Sequence, residues 1–146
     1  MIKRKSIFIF LLTVLVSFVI YGNTAKGGKE MNVKVTAGSH TFIVKLENNV
    51  ASHALYDKLP LTLPMANRYG REMVYRFGAG GLPTDNASDQ GYKVGDLSYW
   101  PPMGSLVILY KQNGEVFEQQ KLGHTDADIS FFNEMKDTNI TFEKQE

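Results

Sequence analysis

Hydrophobic and polar residues alternate in two neighbouring runs that begin after residue 31. A period of two is typical of strands that bury one face of a sheet, so the pattern predicts strands over Asn32–Val35 and His40–Leu46. The apolar positions of these runs are Val33, Val35, Phe42, Val44 and Leu46. The small residues Ala37-Gly38-Ser39 lie between the runs and suit a turn, so we expect a β-hairpin.

After this hairpin the apolar residues recur every three or four positions, which is the spacing of a helix. Asn48 or Asn49 can cap a helix that continues through about Lys58, and Pro60 ends it because proline lacks an amide hydrogen. The apolar side of this helix consists of Val50, Ala51, Ala54, Leu55 and Leu59. One short helix is therefore expected to pack on the sheet.

Short apolar runs predict more strands along the rest of the chain. They are Leu61–Leu63, Glu72–Phe77, Leu97–Trp100, Leu106–Tyr110, Val116–Gln120 and Asn139–Glu143. The first two are separated by Pro64–Arg71, and a glycine-rich loop follows over Gly78–Asp89. The tight turn at Asn113-Gly114 predicts that Val116–Gln120 pairs back on the preceding strand.

A last short helix is expected around Ile129–Met135, with Asp126 or Asp128 as its cap, before a final strand in which Ile140 and Phe142 face inward. Several short strands with about two short helices predict a mainly β protein. The expected architecture is a closed or nearly closed β-barrel.

A different pattern fills the N-terminus, where Lys3-Arg4-Lys5 precede the uncharged run Ser6–Tyr21. This is the layout of a signal peptide, and the small and polar residues up to Ala25 allow cleavage there. The predicted organisation is a signal peptide at 1–25, a flexible tether at 26–31 and one domain at 32–146. We therefore expect an exported protein that is periplasmic, extracellular or at the cell surface. In the alternative, the uncleaved N-terminal segment anchors the chain and is its only contact with a membrane.

The composition excludes several kinds of site. The chain has no cysteine, so disulfides, zinc–thiolate sites and a cysteine nucleophile are ruled out. It holds 16 Lys and Arg against 15 Asp and Glu, and without Lys3-Arg4-Lys5 the balance becomes 13 against 15, a net charge of −2. With no basic stripe, nucleic acid is not expected as a partner, and no cofactor is implied.

Three segments in a fixed order carry a family resemblance. They are Leu59-Pro60-Leu61-Thr62-Leu63, Gly95-Asp96-Leu97-Ser98-Tyr99-Trp100-Pro101-Pro102 leading into Leu106–Tyr110, and Leu122-Gly123-His124-Thr125-Asp126. Together they resemble the bacterial cyclophilin-like domain family from about Val33 to Phe142. The resemblance implies a small cyclophilin-type β-barrel. It does not imply prolyl-isomerase activity, since most members are uncharacterised and a shared barrel does not transfer a function.

Aromatic and basic residues suggest a candidate binding groove. Its members are Arg68, Arg71, Tyr75, Arg76, Phe77, Tyr99 and Trp100. Tyr99 and Trp100 face opposite sides of a strand, so one can line a groove while the other packs in the core. The ordinary expectation is that both pack, with Trp100 against the prolines that follow it, and the groove is the functional alternative. As a groove, the set suits an extended peptide or a small apolar ligand.

Two further features bear on catalysis. True cyclophilins carry an arginine directly after a Phe-His pair, and no Phe-His-Arg occurs here, so no catalytic residue is assigned. The stretch His124–Asp128 alternates metal-ligand types, but helix capping by an aspartate accounts for it and no metal site is predicted. The sequence therefore favours a non-catalytic peptide- or ligand-binding or accessory domain, with a divergent peptidyl-prolyl isomerase as the alternative.

Overall fold

The computed structural model describes residues 28–146. The segment predicted as a signal peptide or anchor, 1–25, lies outside the described residues, as does the start of the tether. The domain predicted from residue 32 begins with a strand at Asn32. Among the described residues, no helix is long and apolar enough to cross a membrane.

Within residues 28–146 the chain forms eight antiparallel strands that close into one barrel, in the order β1-β2-β7-β5-β6-β4-β3-β8. The strands are β1 Asn32–Ala37, β2 His40–Leu46, β3 Leu61–Arg68, β4 Glu72–Arg76, β5 Asp96–Trp100, β6 Ser105–Leu109, β7 Gln120–His124 and β8 Thr138–Lys144. The other elements are the helix α1 Val50–Asp57 and two 3-10 turns, Pro101–Met103 and Ser130–Glu134. This confirms the predicted mainly β, closed barrel.

The barrel interior is filled by the side chains that alternate inward along each strand. Val35 lies opposite Phe42 on one side and Phe142 on the other, which confirms the predicted hairpin and the inward face of the last strand. Val35, Ile140 and Phe142 are fully buried. An eight-stranded barrel is just wide enough for side chains to fill it, and the buried side chains make this interior a core.

Helix α1 follows the predicted capping pattern. The Asn49 side chain accepts a hydrogen bond from the Ser52 amide at 2.9 Å, and the Ser52 hydroxyl donates to the Leu122 carbonyl at 2.8 Å. Leu55 is fully buried, but Val50 is 58% exposed, so its predicted place on the apolar side is wrong. The first residue of so short a helix lies beyond the strands that the helix covers.

Strand β3 is longer than predicted, because it runs through Pro64 and ends at Arg68. It pairs with β8 over Leu61–Met65 and with β4 over Ala66–Arg68. At Pro64 the strand therefore has a hydrogen-bonded neighbour on one side only. Proline is tolerated in such a position.

The prediction that Val116–Gln120 pairs back on β6 is wrong. Strand β6 is already paired with β4 on one side and β5 on the other, so no free edge is left for a third strand. Residues 111–119, here called the crossing arm, instead pass over the outside of the barrel, and β7 pairs with β5 and β2.

The crossing arm covers a second apolar cluster on the outer face of the wall. Val74, Val107 and Leu109 point outward from β4 and β6 and are buried together with Tyr92, and Phe117 of the arm packs against them. Strand β6 therefore has apolar surroundings on both faces. This explains why its sequence is almost continuously apolar instead of alternating.

The predicted last helix is the 3-10 turn Ser130–Glu134. Its N-cap is Ile129, which makes no side-chain cap hydrogen bond; Asp128 lies one residue earlier, and its carboxylate accepts a hydrogen bond from the Ser130 amide at 2.9 Å. The interaction lowers the pKa of the Asp128 carboxyl. Neither Asp126 nor Asp128 is therefore the N-cap of this turn, and the prediction of an aspartate cap is wrong.

Candidate functional site

A cavity of about 300 Å³ lies on the outside of the barrel, beneath the crossing arm. We call it the outer-wall pocket. Its lining residues are Tyr69, Arg71, Glu72, Trp100, Val107, Glu115 and Phe117. The pocket thus combines an apolar and aromatic wall with a group of three charged side chains.

The strands fix one wall of the pocket through their alternation. Glu72, Trp100 and Val107 occupy outward positions of β4, β5 and β6. Their neighbours Tyr99 and Ile108 point into the barrel and are each 1% exposed. Because the interior anchors these strands, the wall of the pocket is preorganised.

The turn between β3 and β4 brings the charged end into place. Tyr69 and Gly70 have φ values of 58° and 61°, and the Arg71 amide donates to the Arg68 carbonyl at 3.2 Å. Two successive left-handed residues make the tight turn that suits antiparallel strands. Tyr69 is 71% exposed at the rim of the pocket. Its left-handed backbone conformation is one that bulky residues rarely adopt.

Arg71 is held by charged and aromatic groups together. Its Nε donates to Glu72 Oε2 at 3.2 Å, and its Nη1 donates to the Glu115 carboxylate. Its guanidinium carbon lies 5.5 Å from the ring centroid of Tyr69 and 5.2 Å from that of Phe117, within cation–π range. The Arg71 side chain is only 11% exposed, so the guanidinium is both buried and compensated.

Burial and charge shift the titration of this group in known directions. Burial raises the pKa of Glu72, and the attraction of Arg71 offsets that effect only in part. For Arg71, burial by itself lowers the pKa, but the Glu115 and Glu72 carboxylates outweigh it and raise the pKa. Arg71 therefore stays charged, while Glu72 is a carboxylate with an increased tendency to hold a proton.

The crossing arm is fastened at both ends. The Tyr92 hydroxyl donates to the Lys111 carbonyl at 2.9 Å, and the Gln119 amide donates to the Ser88 carbonyl at 2.9 Å. The rings of Tyr92 and Phe117 lie 5.7 Å apart. The outer side of the pocket is therefore a loop with fixed ends, not a free strand.

Of the seven residues predicted for a groove, the structure brings Arg71 and Trp100 together in the outer-wall pocket. Arg68 lies at the end of β3, where its Nη1 donates to Asp137 at 3.2 Å. Arg76 is exposed on the outer face of β4. These two arginines therefore lie outside the outer-wall pocket, and together with Tyr75 they line a separate cavity of about 350 Å³.

The other three predicted residues form a separate aromatic group against the main core. Tyr75 and Phe77 meet edge to face with centroids 5.0 Å apart, and both pack against the main core. Tyr99 is 1% exposed, and its hydroxyl donates to the Gly78 carbonyl at 3.4 Å. Tyr99 thus packs inside while Trp100 faces outward, as strand alternation predicts.

The sequence reading missed the parts of the pocket that come from the crossing arm, Glu115 and Phe117. One signal was available. An apolar strand without alternation, such as β6, indicates that both of its faces are covered, and Phe117 is an isolated aromatic residue within a polar stretch. Together these features could have placed Phe117 over β6.

The stretch around His124 proves to be a structural link. Its Nδ1 lies 2.7 Å from Asp96 Oδ1. Asp96 is 2% exposed, and its carboxylate also accepts a hydrogen bond from the Lys93 amide at 2.9 Å. Asp96 and His124 face each other across β5 and β7, which joins two of the segments that carry the family resemblance. Within residues 28–146 no three His, Cys, Asp or Glu side chains are grouped to hold a metal.

Comparisons with known proteins agree with this architecture. A family model described as the cyclophilin-like family matches residues 35–143. Among solved structures, the solution structure of a hypothetical protein from Archaeoglobus fulgidus has a TM-score of 0.64 at 18% sequence identity, and the match covers 83% of this chain and 99% of that one. At this identity the likeness shows the fold alone. No curated protein matches the chain.

Proposed function

This chain belongs to the cyclophilin-like family, and we propose that it is a non-catalytic binding module that holds a small, largely apolar group in the outer-wall pocket. The observation that carries the proposal is the pocket itself, an apolar wall of Trp100, Val107 and Phe117 beside the fixed guanidinium of Arg71. Pockets that bind small ligands commonly pair an apolar lining with a few polar groups that fix orientation.

The size of the pocket limits the ligand. A volume of about 300 Å³ is at the lower end of the range for small-molecule sites. It suits a single ring or one large side chain of a peptide. The Tyr69 side chain, which lines the pocket and is 71% exposed, offers further apolar contact to a longer ligand.

The single tryptophan allows a direct test, because Trp100 lines the pocket and its fluorescence reports occupancy. We expect the purified protein to bind 3-phenylpropanamide with a Kd on the order of 1 mM. Phe117→Ala should weaken binding about tenfold by removing one aromatic wall. Phe131→Ala is the matched control, since Phe131 stacks on His40, 3.9 Å away, and does not line the pocket. Equal affinities in the two variants would refute the assignment of the pocket.

Prolyl isomerisation remains the second candidate, because an arginine does lie beside an apolar pocket. Its chemistry needs a free donor near the prolyl nitrogen. The Arg71 guanidinium instead donates to Glu72 and Glu115, which supports binding over catalysis. A protease-coupled assay on a panel of X-Pro peptides decides between them. If the protein accelerates isomerisation and Arg71→Lys loses this activity, the protein is a prolyl isomerase. If the folded protein does not accelerate isomerisation of any peptide, the binding function is favoured.

We also propose that the chain is exported, on the strength of the basic and apolar N-terminal sequence alone. Expression in a bacterial host followed by cell fractionation and N-terminal sequencing tests this. Recovery from the extracytoplasmic fraction with a new N-terminus near residue 26 supports cleavage. Full-length protein in the membrane fraction supports the anchor, and full-length protein in the cytoplasm refutes export.

A further inference from the structure

We propose that the Glu115 carboxylate occupies the position of a ligand carboxylate, so that the outer-wall pocket selects apolar carboxylates whose acid group replaces Glu115 on Arg71. This inference rests on the proposed binding function and names its ligand class. The ligand would be a small aryl or alkyl carboxylate, or the C-terminal carboxylate of a peptide that ends in an apolar residue.

The two carboxylates on Arg71 differ in a way that makes one of them replaceable. The Glu72 side chain is 9% exposed and lies on a barrel strand, whereas the Glu115 side chain is 64% exposed and lies on the crossing arm. Removing the partner of a buried charge is strongly unfavourable, but an exposed ion pair contributes little. Glu72 is therefore a permanent partner of Arg71, and Glu115 can give way to solvent.

Arg71 is oriented so that this exchange leaves it in place. Its Nε donates to Glu72, and its guanidinium carbon lies within cation–π distance of the Tyr69 and Phe117 rings. The remaining Nη1 contacts Glu115, and it also donates to Asn113 Oδ1 at 3.4 Å, a contact that would stay when Glu115 leaves. Planar guanidinium edges match carboxylates well, so an incoming acid finds a donor that is already positioned.

The apolar wall then decides which acid binds. Trp100 and Val107 line the same cavity as the Nη1 partner Glu115. A ligand that places its carboxylate on Arg71 can lay its apolar body against this wall. An acid without such a body gains little over Glu115, which has the advantage of being attached to the same chain.

Removing the competing charge should therefore improve binding of acids only. We expect Glu115→Gln to bind 3-phenylpropanoate about tenfold more tightly than the wild type, with binding of the neutral 3-phenylpropanamide changed less than about twofold. Trp100 fluorescence gives the affinities. Glu118→Gln is the matched control, because Glu118 is on the same arm but makes no ion pair within the described residues, and its affinities should equal those of the wild type.

The outcomes separate this inference from the function on which it rests. If Glu115→Gln binds the acid no better than the wild type does, Glu115 is not a competitor and the inference is overturned. If 3-phenylpropylamine binds better than the acid and loses affinity in Glu115→Gln, Glu115 is a counterion for cations, which also overturns it. If neither the acid nor the amide binds to any variant, the proposed binding function itself fails.

A peptide pair distinguishes the two sources of the carboxylate. N-acetyl-Ala-Ala-Phe is compared with its C-terminal amide and with 3-phenylpropanoate on Glu115→Gln. A peptide acid that binds more tightly than 3-phenylpropanoate, and far more tightly than its own amide, identifies a chain terminus. Tighter binding of 3-phenylpropanoate identifies a free small acid, and equal binding of peptide acid and amide contradicts carboxylate recognition.

Discussion

Gly104, at the end of the first 3-10 turn, is a residue whose replacement the structure forbids on two grounds. Its φ is 59°, and a Cβ added there would lie 1.8 Å from the Gly78 carbonyl oxygen. Gly38, in the β1–β2 turn, has the same φ, but a Cβ there would meet only Met135 Cε at 3.8 Å, an ordinary contact. The two glycines separate the effect of backbone conformation from that of close packing.

We expect Gly38→Ala to lower the free energy of unfolding by roughly 1–2 kcal/mol, the ordinary penalty for a left-handed alanine. Gly104→Ala should cost at least about 3 kcal/mol, because backbone atoms would also have to move. Urea denaturation of both variants measures the difference. Equal losses would mean that the approach of Gly104 to the Gly78 loop is looser than described.

Glu72 gives the fold a pH dependence of known sign. Burial raises its pKa above the ordinary value of 4.5, so the folded state binds its proton more tightly than the unfolded state does. Its contribution to stability is present below the unfolded pKa and is lost as the pH rises through the folded pKa.

The unfolding free energy of the wild type should therefore increase relative to that of Glu72→Gln as the pH falls from about 7 towards 4.5. The slope of this difference should be at most about 1.4 kcal/mol per pH unit. Urea titrations at several pH values measure it. A difference between wild type and Glu72→Gln that stays constant with pH would contradict the raised pKa.

Local elements could largely be predicted from the sequence, because their causes are local. The cap at Asn49, the β1–β2 hairpin and the inward face of β8 follow from capping chemistry and period-two patterns. The wrong predictions concern pairing. The turn at Asn113-Gly114 is a good hairpin signal, but it cannot show that both edges of β6 are taken by strands from other parts of the chain.

The candidate site was less predictable than the fold for the same reason. Strand alternation predicts that Tyr99 and Trp100 face opposite sides but not which of them faces outward, and Arg71 is one of three arginines that the sequence places at the rim. Glu115 and Phe117 reach the pocket only because the crossing arm passes over β6. Each of them contacts Arg71, which lies more than 40 positions earlier in the chain. Such a contact depends on the topology of the whole barrel and has no counterpart in the local pattern.

At the scale of the whole molecule, closure of the barrel decides where a ligand can bind. The interior is occupied by fully buried side chains such as Val35, Leu106 and Phe142. The outer-wall pocket instead lies on the outside of the wall, where an added segment forms a second face. In this protein that segment is the crossing arm, so under the proposed binding function substitutions on the arm should alter the ligand preference while the barrel core is unchanged.

Closure also makes the first and last strands neighbours. β1 pairs with β8, and the Gln145 amide donates to the Asn32 carbonyl at 2.9 Å. A short glycine–serine linker from residue 146 to residue 28 would therefore span the junction, and new ends could be opened between Gly38 and Ser39 in the exposed β1–β2 turn. Such a circular permutant should retain the barrel and the Trp100 emission of the parent protein, because the ring of strands has no structural beginning.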